Sequence, residues 1–282
     1  MPGHKNWFDI NVTLNPVGVR SFFSVTFNQT TPTTIMPFQE AADYTANKIA
    51  NDYNNLYVGL SGGLDSEFVA CVLLRNKIPF TPIIAKFDLA IDEYSYALAW
   101  CDKHNIVPVI VELETNDQKL LMFSTNIIKN LNLRVRASFI SAYLAKIVSE
   151  KNGHLITGEA TVTPRTGNTD TDVIGNKFKA NHRQFIVDLV FPNQHPSGFL
   201  FYTPEILLST IINLDTSIND PLARTKLYEC VSYRPKTLVW PPPFPIEQYI
   251  SNNIANQYNL HQFSNIEEQT WNKDELINLL KT

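Results

Sequence analysis

The sequence predicts an α/β protein in which helices flank a parallel β-sheet. Short apolar runs at 57–60, 80–87 and 106–113 are typical of buried strands, and each is followed by a longer segment with apolar residues at helical spacing. Strands that alternate with helices in this way form βαβ units, whose strands are parallel. A two-glycine turn, Gly62-Gly63, joins the first strand directly to its helix, so a glycine loop is expected at one edge of the sheet.

The other elements follow from apolar periodicity and capping residues. Two β-like runs at 7–14 and 19–27 flank Asn15-Pro16-Val17-Gly18, which predicts a β-hairpin. Gly153 is expected to cap a helix before it, and the polar segment 161–180 to form a mobile loop over the site. Further helices are predicted at 38–53, 92–104, 119–130, 137–152, 204–213, 220–232 and 273–281, and a fourth parallel strand at 154–157.

Composition narrows the classes of function. The 282 residues carry a net charge of −4, which argues against a dedicated nucleic-acid surface while leaving a local basic patch open. There is no signal-peptide core and no apolar run of membrane-spanning length, so a cytoplasmic protein is expected. Cys71, Cys101 and Cys230 are far apart in sequence and form no CxxC pair, which argues against a structural zinc site or a dithiol centre.

The motif Ser-Gly-Gly-Leu-Asp-Ser follows the 57–60 strand, and from Leu64 the apolar residues recur at helical spacing. The glycines let backbone N–H groups face outward, and the first turn of the helix adds unpaired N–H groups and a positive dipole end. Such a turn is typical of an anion site. Ser61 and Ser66 offer hydroxyl donors to a phosphate, whereas the carboxylate of Asp65 beside phosphates indicates a magnesium ion between them. The alternative is a plain strand-to-helix turn.

This order of strand, glycine motif and helix resembles the pyrophosphate loop of the N-type ATP pyrophosphatases, the PP-loop family; the Walker pattern is missing. The leucine of the motif is the variant of asparagine synthetase and β-lactam synthetase, whose synthetase domains the chain resembles most. The resemblance implies a fold of the adenine nucleotide alpha hydrolase (HUP) type, with ATP and Mg²⁺ as cofactors. It also implies cleavage of ATP between the α and β phosphates, which gives an adenylated substrate and pyrophosphate.

Weaker blocks extend the resemblance over about 38–243. On this basis 1–37 is a hairpin extension, 38–239 the PP-loop ATP-binding synthetase domain, and 240–282 a proline-rich segment with a final helix. A predicted strand that ends in Thr-Gly-Glu is similar to the family's second nucleotide loop, so Gly158 and Glu159 are expected to bind the nucleotide.

Four further site residues come from the same resemblance. Phe87 ends the strand whose backbone receives the adenine ring in the family; the alternative for its side chain is a core position. Lys226 is expected to stabilise the charge that builds on the α-phosphate, and Arg234 and Lys236 to bind the departing pyrophosphate. The alternative for these three cations is a solvated surface position.

The chain departs from the family at the second loop. The relatives continue Gly-Glu-Gly-Ala-Asp-Glu, and that acidic pair helps to hold magnesium and pyrophosphate. Here Val162 and Thr163 take its place. Asp170 or Asp172 from the polar segment could substitute; otherwise the metal rests on Asp65 alone.

The nitrogen supply differs as well. Relatives that use glutamine carry a glutaminase domain that begins with a nucleophilic cysteine, whereas this chain begins Met1-Pro2-Gly3. The expected nitrogen donor is therefore free ammonia, ammonia from a separate amidotransferase partner, or another amine.

Three functions stay open on the sequence. The first is an ATP-dependent amidoligase that adenylates a carboxylate or similar oxygen of a small-molecule substrate and forms an amide-type bond. The second is a PP-loop enzyme that modifies a nucleobase or a tRNA, against which the lack of cysteine pairs and the acidic charge count. The third is a degenerate nucleotide-binding protein without turnover, which the missing acidic pair supports.

Overall fold

The structure of the protein is a computed structural model. It describes residues 7–13, 22–28, 33–87, 91–114, 118–131, 138–159, 162–164, 177–180, 185–192, 194–218, 220–231 and 267–281. Strands and helices alternate through the central part of the chain, as the apolar pattern predicts.

The elements that the sequence predicts have bounds within a few residues of the observed ones. The strands are β1 (Phe8–Thr13), β2 (Phe22–Phe27), β3 (Leu56–Gly59), β4 (Thr81–Phe87), β5 (Val109–Leu113), β6 (His154–Thr157), β7 (Val162–Pro164), β8 (Lys177–Ala180), β9 (Ser197–Gly198), β10 (Glu267–Glu268) and β11 (Thr270–Asn272). The helices are α1 (Phe38–Asp52), α2 (Leu64–Arg75), α3 (Ile91–Lys103), α4 (Gln118–Leu131), α5 (Ser138–Glu150), α6 (Ile186–Val190), α7 (Pro204–Asn213), α8 (Asp220–Tyr228) and α9 (Lys273–Lys281). Of these elements, β7 to β11 and α6 were not predicted. Strands β7 and β8 pair antiparallel within the segment 161–180, which was expected to be a loop.

Five strands form the central sheet in the order β5-β4-β3-β6-β9. Every neighbouring pair in this sheet is parallel. The predicted parallel sheet flanked by helices, with Val58, Ile84 and Ile156 in three of its strands, is therefore confirmed. No helix in the described part of the chain is long and apolar enough to cross a lipid bilayer.

Each face of the central sheet is buried under its own group of helices, because successive residues of a strand point to opposite sides. Val58 and Ile156 pack on one face in a cluster that includes residues of α1, α2 and α3. Tyr57 and Leu155 pack on the other face with residues of α4, α5 and α6. Burial of one such side chain contributes about 2 kcal/mol, so both faces hold the strands in place.

A second core lies outside this sheet and joins segments from the two ends of the described chain. The predicted hairpin is confirmed, because β1 and β2 pair antiparallel with Phe8 opposite Phe27. Strand β10 adds to β2 in parallel, and β11, β8 and β7 form a third sheet. Phe8, Phe23 and Trp271 share this core with the buried face of α9.

The end of α5 corrects one prediction. Asn152, not Gly153, adopts the left-handed conformation, with φ of 53°, and the Gly153 N–H donates to the Val148 carbonyl at 2.9 Å. Gly153 is required by packing, since a Cβ there would lie 2.5 Å from Cε2 of Tyr57. The helix ends where glycine predicts, but asparagine supplies the cap that the motif needs.

Candidate functional site

The two predicted nucleotide loops meet at one edge of the central sheet. Residues Ser61–Ser66, here the first loop, follow β3, and Thr157–Glu159, here the second loop, lie at the end of β6. β3 and β6 are neighbours, but the chain continues from β3 to one side of the sheet and from β6 to the other. Open α/β sheets bind ligands at such a switch point, outside the carboxyl ends of the strands.

The backbone of the first loop makes a tight turn into α2. Gly62 has φ of 79°, a conformation that costs a residue with a side chain about 1–2 kcal/mol. Gly63 is the N-cap of α2 in an extended conformation, and no side chain caps the helix. The N–H groups of the first turn of α2 are therefore available to an anion.

The two serines of the first loop hold the loop together. The buried Ser66 hydroxyl donates to the Gly63 carbonyl at 3.0 Å and accepts from the Ser61 N–H at 3.1 Å. The Ser61 hydroxyl lies 3.1 Å from the Ser66 hydroxyl and accepts from the Gly63 N–H at 3.3 Å. Both hydroxyls thus brace the turn, and their expected role as phosphate donors stays a prediction.

Gly158 brings the second loop against the first. A Cβ at this position would lie 2.4 Å from the Asp65 carbonyl carbon and 2.4 Å from the Ser66 nitrogen. Since real Cβ contacts do not come this close, only glycine lets the end of β6 approach the first turn of α2. Gly158 therefore lies against the first loop, and its role in binding the nucleotide stays a prediction.

The second loop carries two buried oxygen atoms that lack a hydrogen-bond partner among the described residues, Oγ1 of Thr157 and Oε2 of Glu159. The Ser141 hydroxyl donates to the other carboxyl oxygen of Glu159 at 2.8 Å. Burial raises the pKa of Glu159 to about 7, the hydrogen bond from Ser141 opposes this, and the nearby Asp188 adds to it. Such unsatisfied buried groups cost free energy, and a carboxyl with this pKa suits proton transfer near neutral pH.

Asp65 is held by two residues of α8. Arg224 Nη1 donates to Oδ2 of Asp65 and forms an ion pair with it. The Tyr228 hydroxyl donates to Oδ1 at 2.5 Å. Both oxygens of the only carboxylate in the first loop therefore have protein donors in this structure.

Tyr228 also fixes α8 on α2 through its ring. The ring stacks on Phe68 with centroids 4.2 Å apart and an interplanar angle of 14°, and Tyr228 is buried. Arg224 and Tyr228 are four residues apart and so share one face of α8. Sequence reasoning did not assign a role to either residue, although this spacing on a short helix was visible.

Lys226 lies on a different side of α8. It is two residues from both Arg224 and Tyr228, its side chain is 67% exposed, and its Nζ is 3.7 Å from Oδ2 of Asp215. The structure does not bring Lys226 to Asp65, and its catalytic role stays a prediction.

The remaining predicted residues divide between those the structure describes and those it does not. Phe87 ends β4, where its backbone pairs with Leu113, at the same edge of the sheet as the two loops. Val162 and Thr163, which replace the family's acidic pair, lie in β7 and pair with Ala180 and Lys179. Arg234, Lys236, Asp170 and Asp172 lie outside the described residues.

The acidic residues near the first loop fit a magnesium–nucleotide site rather than an all-protein metal cage. Within the described ranges no group of three or more His, Cys, Asp or Glu side chains is placed to hold a metal ion. Magnesium is commonly bound by one or two carboxylates together with substrate phosphates and water. Asp65 would meet that requirement if it exchanged Arg224 or Tyr228 for a metal ion.

Comparison with known proteins gives remote structural similarity only. No family model matches the sequence, and no curated protein matches it. The solved structures that it resembles include NMN synthetase from Francisella tularensis, with 16% identity and a TM-score of 0.30 over 45% of this chain and 56% of that one. The chain thus spans little more than half the length of that protein.

Two further structures are similar at the same level. A protein described as a predicted subunit of tRNA methyltransferase from Methanocaldococcus jannaschii has 15% identity and a TM-score of 0.31 over 62% of this chain and 86% of that one. The NH3-dependent NAD synthetase from Campylobacter jejuni has 18% identity and a TM-score of 0.32 over 87% and 92%. TM-scores this low support no assignment of activity, so the function has to follow from the residues of the site.

Proposed function

We propose that the protein is an ATP-dependent ligase of the asparagine-synthetase type. It adenylates a carboxylate or similar oxygen of a small molecule, releases pyrophosphate and forms an amide-type bond. The observation that carries this proposal is the braced first loop at the switch point of the sheet, whose Ser66 hydroxyl binds both Ser61 and Gly63. A rigid glycine turn that leaves the first N–H groups of α2 free is suited to the phosphates of ATP.

Negative charge must be stabilised on the leaving pyrophosphate and on the α-phosphate. A fixed cation beside the phosphates lowers that barrier. Arg224 is a cation that contacts the first loop directly, through Asp65. We therefore propose Arg224 for this role; Lys226 fills it only if the helix turns its side chain away from Asp215.

Asp65 is the residue that would hold Mg²⁺, because it begins the helix at the phosphate site. A bound Mg²⁺ supplies a Lewis acid that neutralises phosphate charge. In the absence of Mg²⁺, Arg224 and Tyr228 keep the Asp65 carboxylate oriented toward the first loop. This exchange predicts that ATP and magnesium loosen the contact of α8 with Asp65.

Glu159 is proposed to accept the proton that the nitrogen nucleophile loses when it attacks the adenylate. Its pKa of about 7 places it close to half ionised at neutral pH, where a general base is most effective. Oε2 has no partner among the described residues and offers an acceptor. The nitrogen donor is ammonia or a small amine, free or passed from a separate amidotransferase partner.

A second candidate function is nucleotide binding without turnover. Two observations favour it: both oxygens of Asp65 are occupied by α8, and Val162 and Thr163 lie in β7 at the place of the missing acids. Under this alternative the contact of α8 with Asp65 is permanent and does not open for a metal ion.

Pyrophosphate release separates these functions. The protein is incubated with ATP and Mg²⁺ across a panel of carboxylic acids and amines, with Asp65→Asn as the test variant and Asp102→Asn, an exposed position on α3, as its control. We expect release stimulated by an aspartate-like acid, lost in Asp65→Asn and retained in Asp102→Asn. Release only with RNA or a nucleobase precursor contradicts the ligase assignment, and ATP binding without release supports the second candidate.

A further inference from the structure

Two cysteines meet although they are far apart in sequence. Cys71 lies on α2 and Cys230 follows the end of α8, and the Cys71 thiol donates to the Cys230 carbonyl with Sγ and O 3.9 Å apart. The two thiols are also close enough that each shifts the pKa of the other. The sequence spacing argued against a dithiol centre and gave no sign that these two residues meet.

A tight turn places Cys230 beside α2. Glu229 adopts a left-handed conformation with φ of 58°, and the Cys230 N–H donates to the Tyr228 carbonyl at 2.6 Å. A non-glycine residue keeps this conformation only where its surroundings impose it, so the position of Cys230 is set by the fold. Cys230 is exposed and Cys71 partly exposed, which gives a small reagent access to the pair.

The two thiols differ in reactivity. The interaction with Cys230 lowers the pKa of Cys71, and the interaction with Cys71 raises the pKa of Cys230. The thiolate is the nucleophile in disulfide exchange, so Cys71 attacks first. Cys101 contrasts with both, because it is buried and burial raises its pKa to about 11.

We infer that Cys71 and Cys230 form a redox modification site whose substrate is a low-molecular-weight disulfide of the glutathione type. The Cys71 thiolate attacks one sulfur of that disulfide, forms a mixed disulfide and releases one thiolate. The Cys230 thiol then loses its proton and attacks the Cys71 sulfur, which closes the protein disulfide and releases the second thiolate. Two protein thiols are oxidised and one small disulfide is reduced to two thiols.

The disulfide controls the proposed ATP site, and this consequence rests on the proposed function. Cys230 is two residues from Tyr228, which binds Oδ1 of Asp65. A covalent bond from Cys230 to α2 keeps the end of α8 in the arrangement that occupies both Asp65 oxygens. Oxidation therefore opposes the release of Asp65 to Mg²⁺, and reduction permits it.

The test uses the full chain, first reduced and then incubated with excess oxidised glutathione. Free thiols are alkylated, and digested peptides are identified by mass spectrometry; affinity for ATP with Mg²⁺ is measured by calorimetry before and after oxidation. We expect a peptide that links Cys71 to Cys230, and an affinity about tenfold lower that a reductant restores. Cys71→Ser and Cys230→Ser should keep their affinity under oxidation, whereas Cys101→Ser should behave like the wild type.

Two results would overturn the inference. Glutathione on one cysteine without a linked peptide excludes the disulfide, and a linked peptide with unchanged affinity excludes its control of the site. Failure of the proposed function looks different: the reduced protein then binds no ATP, while the linked peptide and a higher melting temperature of the oxidised protein still establish the modification site.

Discussion

The first and second loops lie side by side at the edge of the sheet, yet they satisfy their polar groups in opposite ways. In the first loop each serine hydroxyl is bonded within the turn, as when Ser66 donates to the Gly63 carbonyl. In the second loop Thr157 and Glu159 each keep a buried oxygen without a partner among the described residues. A self-satisfied loop is rigid before a ligand arrives, whereas unsatisfied buried groups are retained where a ligand is to meet them.

The difference divides the work of the proposed site. Under the proposed function, the first loop would bind the phosphates with backbone donors that need no rearrangement. The second loop would accept a proton, for which the pKa of Glu159, about 7, is suited. Gly158 joins the two, since its missing side chain is what lets them touch.

Separating the loops should have the largest effect on stability. In Gly158→Ala the new Cβ meets backbone atoms at 2.4 Å, and we expect a loss of about 3 kcal/mol in the free energy of unfolding. Urea denaturation measures it. Gly59→Ala is the matched control, because its Cβ meets no atom closer than 3.6 Å and should cost less than about 1 kcal/mol. Equal losses in both variants would contradict the close approach.

The next effect concerns the pH dependence of stability, which the titration of Glu159 should change. Burial raises its pKa in the folded protein from 4.5 to about 7, so the folded state binds the proton more tightly than the unfolded one. Stability is therefore lost as the pH rises from about 4.5 to about 7, by an amount of the order of 3 kcal/mol.

Glu159→Gln cannot titrate and should not lose this stability as the pH rises. We expect the variant to gain on the wild type in thermal unfolding between pH 5 and pH 8. The exposed Glu114→Gln variant should follow the wild-type curve. If Glu159→Gln and the wild type show the same pH dependence, the carboxyl is solvated and the proton-transfer role fails.

Alanine should have different effects at the two glycines of the first loop. Gly62→Ala forces a side chain into a conformation with φ of 79°, at a cost of about 1–2 kcal/mol, and should weaken ATP binding. Gly63 has φ of −84°, so Gly63→Ala should cost under about 1 kcal/mol. Calorimetric titration with ATP and urea denaturation of both variants check this. A larger loss of stability and affinity in Gly63→Ala than in Gly62→Ala would show that the strained backbone position is not Gly62.

The smallest expected effects on stability come from removing one hydroxyl group from each loop, and they have opposite signs. Thr157→Val removes a hydroxyl that has no partner among the described residues and should leave stability unchanged or raise it by up to about 1 kcal/mol. Ser66→Ala removes a bonded hydroxyl and should lower stability by about 1 kcal/mol. Chemical denaturation of the two variants tests this. A loss of stability in Thr157→Val would show that the Thr157 hydroxyl has a partner.

Local patterns predicted most of the fold. Val58 and Ile156 lie in short apolar runs between amphipathic segments, and such alternation leaves few topologies other than a parallel sheet. The first loop was predictable from Gly62 and Gly63 because its signals are local as well. The strand, the turn and the start of the helix all lie within about a dozen residues.

Long-range contacts could not be predicted in this way. Arg224 is 159 residues from Asp65 and Cys230 is 159 residues from Cys71, and no periodicity connects residues at that distance. The resemblance pointed to Lys226 of α8, but the face of α8 that meets the first loop is set by the packing of Tyr228 on Phe68. Gly153 shows the converse case: the predicted helix end is correct, but Asn152 supplies the cap, and the glycine is explained by its packing against Tyr57.

The central claim is that the first loop binds the phosphates of ATP. A crystal structure of the protein with AMP, pyrophosphate and Mg²⁺ tests it most directly. We predict pyrophosphate at the first turn of α2, bonded to backbone N–H groups of Ser61–Ser66, with Asp65 turned from Arg224 to the metal. Nucleotide bound elsewhere, or a first loop without ligand at saturating concentrations, would contradict the account.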